Sequence, residues 1–151
     1  MKKSSQTGAG ARTRARELMV QALYQKQIAG HSTSELVTQY QADTAYARVD
    51  QEFFDEMFPA ISNGQEEIEK KIDVLIDRPL VQLDPIELSI LLIGVHELDT
   101  RVDIPYKVVI NEGVNLAKRF GSTDGHKYIN ACLDVAAQSL RKIEVTAGAG
   151  G

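Results

Sequence analysis

Cysteine is almost absent from this chain of 151 residues. The single thiol, Cys132, excludes an internal disulfide framework and any multi-cysteine metal site. Proline and glycine, at 4 and 11 residues, are too few for a collagen-like or linker-dominated chain. No apolar run approaches about 18 residues, so nothing reads as a membrane span. The charged first residues are not followed by an apolar h-region, so no signal peptide is expected and a cytoplasmic location is the default. Strand signals are nearly missing: no stretch alternates cleanly for more than a few residues. Without strands, a Gly-rich nucleotide cradle of the P-loop or dinucleotide-binding kind has no support.

What is present is 43% apolar residues, enough to bury a core in one compact domain or two small subdomains. The charge is unevenly placed. Residues 1–30 carry a net charge of +5, residues 31–105 carry −11, and residues 106–151 carry +2. A basic end joined to an acidic middle suggests two surfaces with different partners, phosphates for one and a basic protein for the other. Two ordinary solvated helix faces would give the same pattern.

Most of the chain reads with a helical period. Residues 1–11 are expected to form a flexible basic arm. The first helix is expected from about Arg12 to Ala29, with Ala15, Leu18, Met19, Ala22 and Leu23 on one face and Gly30 past its end. Ser32 with Glu35 reads as a capping box opening a second helix that ends near Ala47. A helical region over 50–76 should kink or break at Pro59 and at Ser62-Asn63-Gly64. Asp84-Pro85-Ile86-Glu87 is the clearest helix start. It leads into Ile90-Leu91-Leu92-Ile93, apolar on almost every side, which marks a central helix. A helix over Tyr106 to Phe120 follows, in which Gly113 allows close approach. The last helix starts near Asp124 and buries Ile129, Cys132, Leu133, Ala136, Leu140 and Ile143. Residues 146–151 are expected as a disordered tail. The expectation is an all-α protein of six or seven helices, in two antiparallel helical subdomains of about 12–78 and 79–145.

Catalytic signals are weak. His31, His96 and His126 fall on different elements with no metal-binding spacing, so no metal is expected. Cys132 lies on an apolar helix face and reads as a core residue rather than a nucleophile. His96, near a helix C-terminus, reads as structural. Nucleic-acid signals are stronger. Arg12, Arg14 and Arg16, extended by Lys2 and Lys3, could meet several phosphates from a flexible arm. A second polar cluster holds Lys118, Arg119, Asp124, His126, Lys127 and Tyr128. Lysines there suit phosphates and Tyr128 suits stacking on a base. Asp124 is either a base-reading acid or the helix N-cap, and the two roles are compatible.

The segments Ala11 to Glu17 and Val20 to Tyr24 resemble the start of the bacterial NusB family of transcription antitermination factors. So do Asp84 to Glu87 leading to Val95-His-Glu-Leu98, and Ile104 to Glu112 continued through Leu116 to Gly121. Asp124, His126 to Asn130 and Leu133-Asp134 complete the pattern in order and at the family's spacing. The resemblance implies a compact all-helical NusB-like fold with no enzymatic activity and no cofactor. It implies binding of single-stranded boxA RNA of ribosomal RNA transcripts together with the ribosomal protein NusE, within an RNA polymerase antitermination complex. On this resemblance Arg12, Arg14 and Arg16 face RNA, as do Asp124 and Tyr128. Tyr24 and Glu87 face the ribosomal protein. Thr13 stands where the family often has arginine, Leu92 where arginine is common in the central helix, and Asn115 where glutamate is common. Tyr128 replaces a frequent phenylalanine. Two alternatives are a homodimer built on Leu92 that masks the RNA surface, and a stand-alone relative of the accessory domain of ribosomal RNA cytosine methyltransferases.

Overall fold

A computed structural model describes residues 8–150. Eight α-helices and two short 3-10 turns form the described residues, with no strand among them. The all-helical expectation holds, with one more helix than the upper estimate. None of these helices is long and apolar enough to cross a membrane. The chain forms two compact units that divide between Gln65 and Glu66, so the expected boundary near 78 lies inside the second unit.

The first unit contains α1 (Ala9–Ala29), α2 (Thr33–Gln41) and α3 (Gln51–Asn63), with a 3-10 turn over Thr44–Arg48 before α3. Helix α1 starts three residues earlier than its sequence suggests. The reason is long-range: the Asp50 backbone N–H donates to the Ala11 carbonyl at 3.0 Å, pinning the first turn of α1 to the start of α3. The Asp50 carboxylate in turn caps α3, accepting from the Phe53 N–H at 3.1 Å. Gly30 ends α1 with φ +71°, a left-handed position that glycine fills without steric cost. The Ser32–Glu35 capping box forms as expected. Helix α2, however, stops at Gln41 rather than near Ala47, because Asp43 accepts from the Ala45 N–H and diverts the chain into the 3-10 turn. Helix α3 passes through Pro59 without ending there and stops only at Asn63. Leu18, Met19, Ala22 and Leu23 of α1 are fully or almost fully buried, as are Leu36 of α2 and Phe54, Phe58 and Ile61 of α3. The Phe54 and Phe58 rings stack with centroids 5.5 Å apart.

The second unit contains α4 (Gln65–Asp73), α5 (Pro85–Thr100), α6 (Tyr106–Phe120), α7 (Gly125–Leu140) and α8 (Lys142–Gly150). Gln65 itself belongs to the first unit. Asp84 and Glu87 close a capping box at the start of α5: the Glu87 N–H donates to Asp84 Oδ1 at 2.7 Å, and the Asp84 N–H to Glu87 Oε1 at 3.4 Å. Every residue of α5 from Leu88 to Val95 is buried, which makes it the central helix. Leu92 is 0% exposed, so it belongs to the core. The self-association face suggested for it does not exist, which removes the ground for a Leu92 homodimer.

Helices α5, α6 and α7 pack on one another around Leu133. A Cβ placed on Gly94 of α5 would lie 2.7 Å from Leu133 Cδ2, and one on Gly113 of α6 would lie 2.5 Å from Leu133 Cδ1. Both glycines therefore make room for one leucine, as expected for Gly113. The last helical region is split, because α7 ends at Leu140 and Arg141 turns inward. The Arg141 guanidinium donates to the carbonyls of Glu97, Leu98, Arg101 and Ile104 and to the Glu144 carboxylate. This caps the C-terminus of α5, where a cation also suits the helix dipole. Ile143, expected on the buried face, lies beyond the break and is 88% exposed. The tail expected to be disordered continues as α8 to Gly150.

Candidate nucleic-acid interface

In the first unit the three arginines have different surroundings. Arg12 and Arg16 are one helical turn apart and face α3. Arg12 Nε lies 3.4 Å from Asp50 Oδ2, and its guanidinium stands 5.1 Å from the Phe53 ring centroid. The Arg16 guanidinium stands 5.0 Å from the same ring, and the residue is 3% exposed. Arg16 therefore packs the α1–α3 junction instead of presenting an open cation to phosphates, which corrects the sequence expectation. Arg14, on the other side of α1, is exposed. Thr13, at the departure from the family pattern, turns its hydroxyl back to the Ala9 carbonyl at 3.0 Å. Lys2 and Lys3 lie outside the described residues. Further along α1, Tyr24 is 40% exposed and Ile28, one turn on, is exposed as well. Two large apolar side chains open to solvent on one helix stripe suit a protein contact better than an RNA contact.

In the second unit, Asp124 precedes α7 without capping it. Its backbone, at φ −107° and ψ 6°, is not in the extended conformation of a side-chain cap, and no cap hydrogen bond forms. The carboxylate is 78% exposed and lies 3.6 Å from Lys127 Nζ, a loose surface pair. Of the two roles open to Asp124, the side-chain cap is thus not the one it fills. Tyr128 is half-buried. The Arg78 guanidinium lies 4.1 Å above its ring centroid, so one ring face is already covered. The Tyr128 hydroxyl oxygen is shut off from solvent and has no hydrogen-bond partner among the described residues. Burial, and then the neighbouring Cys132 thiol, pushes this hydroxyl up to about 12. The Cys132 thiol is itself buried and pushed up by that burial, as suits a core residue. Arg78 is the functional candidate that sequence reading missed. It is an isolated cation next to a proline in the acidic middle, and only the fold carries it to Tyr128.

Glu87 is half-buried and engaged in its capping box, and it borders the start of α7: its Oε2 lies 3.8 Å from where a Gly125 Cβ would stand. Glu87, Asp124, Lys127, Tyr128 and Arg78 therefore share one end of the α5–α7 pair. Lys118 is exposed on the last turn of α6. The histidines fall on three different elements, the loop before α2, α5 and α7. No group of three or more His, Cys, Asp and Glu side chains is placed to hold a metal among the described residues. What the two surfaces offer is charge, stacking and hydrogen bonding.

A family model described as the NusB family matches residues 13–138. A transcription antitermination protein NusB from Pseudomonas syringae pv. tomato is 45% identical over 136 residues, covering 90% of this chain and 82% of that one. The chain belongs to the NusB family. A second relative of the same description, from Marinobacter nauticus, is 42% identical over 142 residues and covers 94% of this chain and 90% of its own. The solved structure of Thermotoga maritima NusB (described as "T. maritima NusB, P3121, Form 2") superposes with a TM-score of 0.73 at 23% identity, covering 85% of this chain and 91% of that chain. At that identity the likeness concerns the fold alone. The NusB family match stops short of Arg141 and α8.

Proposed function

We propose that this member of the NusB family is a non-catalytic transcription antitermination factor working in the cytoplasm. It binds boxA-type single-stranded RNA of ribosomal RNA transcripts together with the ribosomal protein NusE, as part of an antitermination complex on RNA polymerase. The name shared by its relatives supports the process. The observation that carries the RNA part is the open Asp124 carboxylate beside Lys127, next to the Arg78–Tyr128 stack. A carboxylate not used for capping can accept from a base amine, Lys127 can meet a phosphate, and a base can stack on the outer face of Arg78 or displace it from Tyr128. The exposed Arg14 adds a phosphate contact that carries no sequence information. Tyr24 with Ile28, and Glu87, are the contacts offered to NusE, a ribosomal protein and therefore a basic one.

The net charge of −4 repels phosphate, so RNA affinity of the chain alone is modest and salt-sensitive. A basic partner removes part of that repulsion. The test is salt-dependent binding to labelled boxA-type RNA and to a scrambled RNA, with and without NusE. Selective binding that tightens with NusE supports the reading. Equal binding of both RNAs under every condition overturns it.

A further inference from the structure

Helices α6 and α7 enclose a surface groove of about 500 Å³ on the second unit. Roughly 300–1,000 Å³ is the usual size of a small-ligand site. Its apolar floor includes Ile110 and Val114. Lys107 and Asn111 on α6 face Lys127, Asn130 and Asp134 on α7, with His126 beside Lys127. Among the described residues, no hydrogen bond or ion pair engages the side chains of Lys107, Asn111, His126, Asn130 or Asp134. Lys127 has only its loose contact with Asp124. In the Gln25–Gln39–Tyr40 cluster, by contrast, the converging polar side chains are bonded to each other. A groove with an apolar floor, two lysines, two unengaged amides and one carboxylate has the chemistry of a nucleotide site. The lysines suit phosphate, the floor suits a base face, and the amides and Asp134 suit the donors and acceptors of a base edge.

We propose that this groove takes one nucleotide of the bound single-stranded RNA, its base turned in between α6 and α7. Lys107 and Lys127 hold the flanking phosphates, and Asn111 and Asn130 read the base edge. This inference rests on the RNA reading above and extends it. Lys127 belongs to both sites, so a strand passing Asp124 enters the groove without a break. Asp134, the one acid in the groove, favours a base that carries an amino group over uracil.

The test uses the full chain and fluorescently labelled boxA-type RNA, intact and with a single abasic site at each position in turn. One abasic position is expected to weaken binding by about fivefold or more. Asn111→Ala and Asn130→Ala are expected to weaken binding of intact RNA by a similar factor and to abolish the penalty at that one position. Lys107→Ala is expected to weaken binding to boxA-type and scrambled RNA alike and to lower the slope of log affinity against log salt by about one. These residues are on the groove surface, and unchanged thermal melting of each variant checks that the fold is intact. If the groove variants bind intact and abasic RNA as the parent does while Arg14→Ala weakens binding, the groove proposal is overturned and the RNA reading stands. If the groove variants lose NusE but keep RNA, the groove is a protein face and the proposal is again overturned. If the parent chain fails to prefer boxA-type RNA, the reading beneath it fails as well.

Discussion

Arg141→Met should be among the most destabilising single changes in the second unit. All five guanidinium N–H groups have partners: Nε to the Leu98 carbonyl at 2.6 Å, Nη1 to Ile104 at 2.9 Å and Glu144 at 2.7 Å, and Nη2 to Arg101 at 2.6 Å and Glu97 at 3.3 Å. The side chain is 3% exposed. Methionine keeps the apolar stem and removes every donor. Each buried carbonyl left without a partner costs about 1–3 kcal/mol. The Glu97 and Arg101 carbonyls keep backbone donors, the Arg101 N–H at 2.9 Å and the Ile104 N–H at 3.0 Å, so only the Leu98 and Ile104 carbonyls lose their partner. The two terms need not add, because carbonyls near a helix end recover some water and the network acts as a unit. Glu144 is 38% exposed and is not left as a buried charge, so the two stranded carbonyls set the magnitude, about 2–4 kcal/mol. That corresponds to a fall in Tm on the order of 10 °C. Lysine, with three donors on a point charge, should restore only part of the loss. Urea unfolding followed by circular dichroism gives the number. A loss below about 1 kcal/mol for Arg141→Met would show that these carbonyls are satisfied some other way and refute the capping argument.

Three further outcomes follow from the geometry. Gly113→Ala places a methyl group 2.5 Å from Leu133 Cδ1 and should cost about 1–3 kcal/mol in the same unfolding assay; Leu133→Val in the same chain should return part of it, and strict additivity would contradict the packing. Arg16→Ala should destabilise the protein through lost packing on Phe53, whereas Arg14→Ala should leave the melting temperature unchanged and weaken RNA binding; the reverse pattern would contradict the assignment of the two arginines. Glu144 is held below the ordinary carboxylate value of 4.5 by the Tyr106 N–H and then by Arg141. Its contribution to stability is therefore present above about pH 4.5 and lost as the pH falls through the lowered value, so Glu144→Gln should flatten that part of the acid limb in stability measured against pH.

The features legible in the sequence are local ones. Ser32 with Glu35, and Asp84 with Glu87, specify helix starts through bonds three residues apart, and both boxes form. Pro105 and Gly121 bracket α6 at the bounds expected. Four branched aliphatic residues in a row at 90–93 announced the central helix. The features that were not legible depend on partners far along the chain. The segment from Ala136 to Ile143 reads as one helix, and its break at Arg141 is set by carbonyls 37 to 44 residues earlier. Arg16 looked like an arm cation, and only the position of Phe53 on α3 shows that it is buried. Asp124 looked like a cap, yet its backbone conformation leaves the carboxylate out of the cap and exposed beside Lys127. Arg78 carried no signal at all, because its role depends on where Tyr128 sits.

The most direct test of the central claim is the affinity of boxA-type RNA for this chain at fixed salt, measured with and without saturating NusE, alongside a scrambled control. The account predicts tighter binding of boxA-type RNA when NusE is present, little change for the scrambled RNA, and by linkage the same factor in NusE affinity when RNA is added. Equal affinity with and without NusE, or equal enhancement of both RNAs, would contradict it.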